Sequence, residues 1–189
     1  MGTRCLTHFR DRDTILCTLY RQMDGYPDGH GQELADFLNG FKVVNGINSR
    51  DEEEYPKLAN GLGCLAAQVI SHFKTDTSHY DKMYEMQQQM AKNLPNAPGF
   101  QARLEKPRIK RDFRVGSFYM HPAGDDGGVD YTYTVYLAAA QNGGPFGPPG
   151  QLMLKVETTG SSGPKVLFDG KPEDYDIGTI NENDNDESD

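Results

Sequence analysis

The chain has 189 residues and a net charge of −9, and 36% of its residues are hydrophobic. This length fits one ordinary domain with a modest accessory segment. It contains no run of 18 apolar residues, and the N-terminus lacks the apolar stretch of a signal peptide. We therefore expect no membrane association and a cytoplasmic location. Three cysteines without C-x-x-C spacing argue against a disulfide framework and against a zinc site.

The negative charge is concentrated at the C-terminus. Residues 169–189 hold nine acids and one base, a net charge of −8, so residues 1–168 carry only −1. The last nine residues contain no apolar side chain. We expect residues 171–189 to form a disordered acidic tail that aids solubility.

The first predicted elements are two strands, residues 3–9 and 14–21, joined by a polar turn over residues 10–13. If that turn sets the register, Leu6 faces Cys17 and Arg4 faces Leu19. Strand alternation then places the charged side chains of Arg4 and Arg21, together with His8, on the same face as these apolar residues. Arginines on an apolar face need partners, which puts them at its edge.

A loop over residues 24–31 precedes a helix whose apolar positions, Leu34 to Phe41, fall at i, i+3, i+4 and i+7. Residues 43–47 predict a short strand or turn, and an acidic start at Asp51 predicts a second helix. The apolar face of this second helix comprises Leu62, Leu65, Ala66, Val69 and Phe73.

Residues 75–114 differ in character and predict an inserted segment. A Met- and Gln-rich helical part is followed, over residues 103–114, by six bases and two acids. Four strands then follow, at residues 117–120, 129–138, 152–157 and 166–168. Strands, then helices, then strands predict an α+β fold, an antiparallel sheet with helices packed on one face, in a single domain of residues 1–170.

Several motifs carry a family resemblance: Gly2-Thr-Arg4, Tyr20-Arg-Gln-Met-Asp-Gly-Tyr-Pro-Asp-Gly-His-Gly31, Val44-Asn-Gly46, Gly63-Cys-Leu-Ala-Ala-Gln68, Phe118-Tyr-Met-His-Pro122 and Tyr131-Thr-Tyr-Thr-Val-Tyr136. On these motifs the chain resembles a family of small bacterial and phage proteins with no known activity. The resemblance covers most of the chain outside the tail and residues 75–114. It implies no catalytic residue.

The loop over residues 24–31 is the predicted working site. Its glycines allow a tight turn and close approach of a ligand. The helix that follows would direct free N–H groups toward an anion. Arg4 and Arg21 would add bidentate contacts to an anion. Tyr26 or Tyr20 would offer a surface on which a base or ring stacks, and His30 would transfer a proton near neutral pH. The predicted ligand-binding residues are Arg4, Arg21, Tyr26, Gly29, His30 and Gly31.

This pattern predicts a protein that binds an anionic small ligand, with a nucleotide or a nucleotide-derived signal as the leading class. In a phage setting the protein would sequester a host defence messenger in the host cytoplasm. We favour a binding protein without a cofactor over an enzyme. A purely structural loop is the competing interpretation, in which Asp28 caps the helix and Arg21 pairs with Asp24.

Two further functions stay open. A divalent metal held by Asp24, Asp28 and His30, with Asp125 or Asp126, would activate water in a phosphoester hydrolase. Alternatively, the Met-rich helix and the basic stretch would bind a protein partner, and the chain would then be an interaction module. We do not expect nucleic acid as a partner, because few aromatic residues are interleaved with the bases. An oligomer is compatible with the sequence.

Overall fold

The computed structural model describes residues 2–47, 53–94, 111–122, 124, 128–138, 150–160 and 163–185. The chain forms two compact units. One comprises Met1–Ile70 and Gly116–Asp189, and the other comprises Ser71–Val115. The second unit spans nearly the same residues as the segment predicted to be an insertion. That this segment is an insertion stays a prediction.

Six strands form the main sheet of the described chain, in the order β5-β2-β1-β6-β7-β8. A separate parallel pair, β3 and β4, forms a second, small sheet. The strands are β1 (Cys5–Asp11), β2 (Thr14–Arg21), β3 (Lys42–Val44), β4 (Leu58–Asn60), β5 (Phe118–Met120), β6 (Tyr131–Leu137), β7 (Leu152–Thr158) and β8 (Lys165–Gly170).

The predicted α+β class is confirmed, and the sheet is mixed rather than wholly antiparallel. β1 and β6 run parallel in the centre of the sheet, with Cys5 paired to Tyr131 and Phe9 to Val135. Its other strand pairs are antiparallel. A parallel pair needs a long crossover connection, and residues 22–130 supply it between β2 and β6.

The predicted register of the first hairpin is wrong. Leu6 pairs with Tyr20, and Cys5 pairs with Arg21, because the turn is only two residues long and a bulge follows Phe9. Arg12 begins this turn with a φ of 54°. The pairing differs from the predicted one by three residues. An odd difference exchanges the faces of one strand relative to the other, so Arg4 and Arg21 lie on opposite sides of the sheet.

Four helices of seven or more residues occur in the described residues: α1 (Gln32–Leu38), α2 (Gly61–Thr75), α3 (Ser78–Asn93) and α4 (Ile177–Asn185). Glu53 and Glu54 are also helical. The predicted apolar face of α2 is buried throughout. This helix begins ten residues later than the predicted start at Asp51. Lys57 caps the C-terminal end of α1. Its ammonium donates hydrogen bonds to the carbonyls of Asp36, Phe37 and Asn39.

The second unit contains α3 and is held together by Arg114. This guanidinium donates to the Asp76 carbonyl and forms an ion pair with its carboxylate at 2.9 Å. Lys74 donates in turn to the Arg114 carbonyl at 2.5 Å. These contacts of Arg114 stabilise the second unit internally. The rest of the basic stretch up to residue 110 lies outside the described residues.

The C-terminal segment is more ordered than predicted. Residues 172–174 form a 3₁₀ turn, and α4 extends to Asn185 through much of the expected tail. Ile180 is buried and anchors this helix. The Asp176 carboxylate caps it by accepting the N–H and hydroxyl of Thr179. The buried Ile180 and the Asp176 cap thus stabilise a helix in a segment whose acidic composition had predicted disorder. Residues 186–189 lie outside the described residues.

None of the helices in the described part of the chain is long and apolar enough to cross a membrane.

Candidate functional site

Hydrogen bonds between backbone groups of the loop over residues 24–31 close this loop. Pro27–Gly31 form a single π-helical turn. The Gly29 N–H donates to the Tyr26 carbonyl at 3.0 Å, and the His30 N–H donates to the Asp24 carbonyl at 3.0 Å. The Gly31 N–H also bonds to the Tyr26 carbonyl, at 3.4 Å. The amides that were predicted to receive an anion therefore close the loop on itself.

His30 is fully buried, and both ring nitrogens have partners. Its Nε2 lies 2.7 Å from the Thr7 hydroxyl, and its Nδ1 lies 3.1 Å from Nη1 of Arg21. A guanidinium only donates, so Nδ1 accepts and the proton resides on Nε2. Burial, and then the adjacent Arg21 charge, hold the pKa of His30 well below its usual value. The ring is a neutral structural group that links the loop to β1 and β2.

The guanidinium of Arg21 is also bonded to groups within the protein. Its Nε donates to the Met23 carbonyl at 2.7 Å, and its Nη1 donates to Glu33 at 2.5 Å. A longer ion pair of 3.9 Å joins Nη2 to Asp24. The guanidinium also lies 5.1 Å from the centre of the Phe118 ring. Only 6% of this side chain is exposed, so its charge is balanced within the chain.

Close packing explains the glycines of the loop better than ligand approach does. A Cβ at Gly25 would lie 2.8 Å from the Arg4 backbone, and a Cβ at Gly31 would collide with the Tyr175 hydroxyl. That hydroxyl donates to the Pro27 carbonyl at 3.0 Å, and the Tyr133 hydroxyl donates to the Gly25 carbonyl at 2.9 Å. Tyrosines from two other parts of the chain thus hold the loop in place.

The structure divides the predicted site residues into two groups. Arg21, Gly29, His30 and Gly31 take part in the internal bonding just described. Tyr26 is 37% exposed at the loop surface, and its hydroxyl is 3.4 Å from Asp24. Arg4 lies on the other side of the sheet. Their role in ligand binding stays a prediction.

The metal alternative also stays a prediction. The described residues contain no cluster of three His, Cys, Asp or Glu side chains arranged for a metal ion. His30 was the predicted nitrogen ligand, and both of its ring nitrogens are hydrogen-bonded within the protein. Asp125 and Asp126 lie outside the described residues.

The opposite side of the sheet forms a second candidate surface. Strand alternation places Arg4, Leu6, His8 and Arg10 on this side along the central strand β1. Thr18 and Tyr20 on β2, Tyr119 on β5 and His121 just beyond β5 lie on the same side. We call this set of eight residues the outer face: Arg4, Leu6, His8, Arg10, Thr18, Tyr20, Tyr119 and His121.

Aromatic rings form a stack at one edge of the outer face. The Tyr20 ring packs on Tyr119 with centroids 4.5 Å apart and an interplanar angle of 28°. The Tyr20 ring also stacks with the His121 ring, with centroids 5.8 Å apart. Tyr20 is 5% exposed and joins a small apolar cluster with Leu6 and Val129. Tyr119 is 47% exposed, so part of its ring faces solvent on a rigid support.

Polar groups lie next to this stack. His8 Nδ1 is 2.9 Å from the Thr18 hydroxyl, and the His121 N–H donates to the Thr18 carbonyl at 2.9 Å. Burial lowers the pKa of His8, although Glu157 opposes that shift. Arg10 lies 5.4 Å from the centre of the Tyr136 ring. Burial and the hydrogen bond to Asp169 raise the pKa of Tyr136 to about 12.

The Met-rich helix presents a third surface, in the second unit. Met83, Met86 and Met90 are 39%, 51% and 41% exposed along α3. Their spacing repeats about once per helical turn, as a stripe on one side requires. Binding of a protein partner by this stripe stays a prediction.

Comparison with protein-family models, curated proteins and solved structures finds no match to this chain. The sequence placed Arg4, Leu6 and His8 on one face, but we did not identify Tyr119 and His121 as part of it. Arg4, Leu6, His8 and Arg10 alternate along one strand, and Tyr119 and His121 alternate along another.

Proposed function

We propose that the chain binds a small anionic ligand with a planar ring, of the nucleotide class, on the outer face. One observation carries this proposal. The half-exposed Tyr119 ring stacks on the buried Tyr20 ring, on the same side of the sheet as Arg4 and Arg10. A fixed ring beside arginines suits a base that is joined to a phosphate.

Stacking and charge would supply different parts of the affinity. A nucleic-acid base on an aromatic side chain contributes about 1–3 kcal/mol, and the sheet fixes the Tyr119 ring in advance. Arginine binds phosphate through paired N–H groups. The Arg4 charge acts on the Tyr20 hydroxyl, where it opposes the increase in pKa that burial causes. The Arg4 charge therefore acts at the stack, and in this proposal it attracts the phosphate of the bound nucleotide.

The outer face supports this function better than the loop does. In the loop the charge of Arg21 is already balanced by Glu33, and the Gly29 and Gly31 amides already have acceptors. An anion there would have to displace these internal bonds. Arg4 belongs to both hypotheses, since it is one of the predicted ligand-binding residues and is part of the outer face.

Isothermal titration calorimetry with nucleoside 5′-monophosphates and a 3′,5′-linked diribonucleotide tests the proposal. We expect Tyr119→Ala to weaken binding about 5- to 100-fold, in line with the loss of one stacked base. Arg4→Ala should also weaken binding, and the loss should shrink as salt is raised.

Matched controls come from the same residue types elsewhere. Tyr26→Ala removes an exposed tyrosine from the loop, and Arg12→Ala removes an exposed arginine from the hairpin turn. Both should bind like the unmodified chain. Loss of affinity in Tyr26→Ala with normal affinity in Tyr119→Ala would move the site to the loop. No binding of any nucleotide would reject the proposal.

A further inference from the structure

Two histidines lie in one row across the outer face. His8 is the cross-strand partner of Thr18, and the His121 N–H bonds to the Thr18 carbonyl on the other side. The row therefore runs from β1 through β2 to the end of β5. Adjacent strands are about 4.8 Å apart, which places the two Cα atoms about 10 Å apart, and the two side chains lie on the same face. The two histidines therefore flank Thr18 on one face.

Thr18 fixes the position of the His8 ring, and one tautomer of this ring suits a general base. The Thr18 hydroxyl at 2.9 Å fixes the ring through Nδ1. In the tautomer in which Nδ1–H donates to that hydroxyl, Nε2 carries the lone pair. The charged or titratable groups that act on the ring are Glu157, His121 and Arg10. Burial outweighs the attraction of Glu157, so the pKa of His8 is lowered and the ring is neutral at pH 7.

We propose that the outer face cleaves the 3′–5′ phosphodiester bond of a short ribonucleotide, with His8 as general base and His121 as general acid. This inference rests on the proposed function, because the stack on Tyr119 would hold the base next to the two rings. It adds a reaction and narrows the ligand class to phosphodiesters that have a free 2′-hydroxyl.

The reaction is an internal transesterification. His8 Nε2 takes the proton of the 2′-hydroxyl, and the 2′ oxygen forms a bond to phosphorus. The bond between phosphorus and the 5′ oxygen breaks, and His121 gives its proton to that oxygen. The products are a 2′,3′-cyclic phosphate and a free 5′-hydroxyl, and proton exchange with water restores both rings. Arg10, two residues along β1 from His8 on the same face, would stabilise the charge that develops on the phosphate oxygens.

A diribonucleotide and its 2′-deoxy analogue separate this reaction from binding. We expect the full chain, in the presence of a chelator, to convert the diribonucleotide to the 2′,3′-cyclic product, detected by chromatography and mass spectrometry. The 2′-deoxy analogue should bind with similar affinity and remain intact. His8→Gln and His121→Gln should each lower the rate about 10²- to 10⁴-fold and change the affinity for the analogue by less than about 3-fold.

The pH profile and a control variant complete the test. The rate should fall at low pH, where His8 becomes protonated, and His8→Gln should remove that limb of the profile. His72→Gln, a change at an exposed histidine on α2, should leave both rate and profile unchanged. Binding of the analogue without cleavage of the diribonucleotide would overturn this inference and leave the proposed function standing. Cleavage of the deoxy analogue would overturn the assigned chemistry. Failure to bind either compound would overturn both.

Discussion

Replacement of Arg21 by methionine tests whether this arginine is structural. Methionine keeps most of the buried volume but cannot donate to His30 Nδ1, a fully buried acceptor at 3.1 Å. A buried polar atom without a partner costs about 1–3 kcal/mol. The partner carboxylate of Glu33 is half exposed, so loss of that ion pair adds no more than about 1 kcal/mol. We expect Arg21→Met to lower the free energy of unfolding by about 1–4 kcal/mol.

Urea unfolding followed by circular dichroism measures this change. Arg4→Met is the matched control, because Arg4 is only partly buried and lies on the outer face. We expect its stability to stay within about 0.5 kcal/mol of the unmodified chain. An Arg21→Met variant that is as stable as the Arg4→Met variant but has lost nucleotide affinity would contradict a structural role for Arg21. That result would return Arg21 to the binding site predicted from the sequence.

Three further predictions concern the same region. Gly25→Ala should lower stability and Gly63→Ala, whose Cβ has open space, should raise it by up to about 1 kcal/mol in urea unfolding. Tyr133→Phe should cost about 1–2 kcal/mol in the same assay, because the Gly25 carbonyl loses its donor. The pKa of His30 is lowered in the folded chain, so the unfolded chain takes up the proton first as pH falls below about 6.5. Stability should therefore fall between pH 7.5 and 5.5, and His30→Gln should reduce that slope.

Local periodicity predicted the elements well. The buried face of α2 follows from its 3.6-residue repeat, and the strands at residues 131–137 and 152–158 follow from alternation and β-branched content. Such patterns depend on whether each side chain meets the core, and neighbouring residues report this directly. β4 was missed because its three residues fall within the helix that was predicted to start at Asp51.

Pairing between strands was harder to predict, because it depends on turn geometry and on distant residues. The first hairpin has no Asn-Gly or Asp-Gly signal, and Arg12 adopts a positive φ that arginine seldom favours. The four-residue turn predicted instead put Leu6 opposite Cys17 rather than Tyr20. The parallel pairing of β1 with β6 has no local sequence signal either, since more than a hundred residues separate the two strands.

The same register error explains why the candidate site was assigned to one surface instead of two. With the predicted pairing, Arg4, His8 and Arg21 share a face and suggest one basic site beside the loop. The observed pairing sends Arg21 to His30 and leaves Arg4 and His8 on the outer face. Pattern arguments can find polar residues in strands, but a shift by an odd number of residues decides which of them meet.

The buried loop and the outer face are connected through β1. Successive side chains of a strand alternate, so the residues that the loop fixes lie between residues of the outer face. Thr7 bonds to His30 on one side of the sheet, and its neighbours Leu6 and His8 point to the other. On β2, Arg21 is fixed by the loop, and its neighbour Tyr20 carries the aromatic stack. The glycine-rich loop thus supports the outer face by holding β1 and β2 in place. Changes in the loop should therefore appear first as lost stability, whereas changes at Tyr119 or His8 should affect binding or rate in a chain that remains folded.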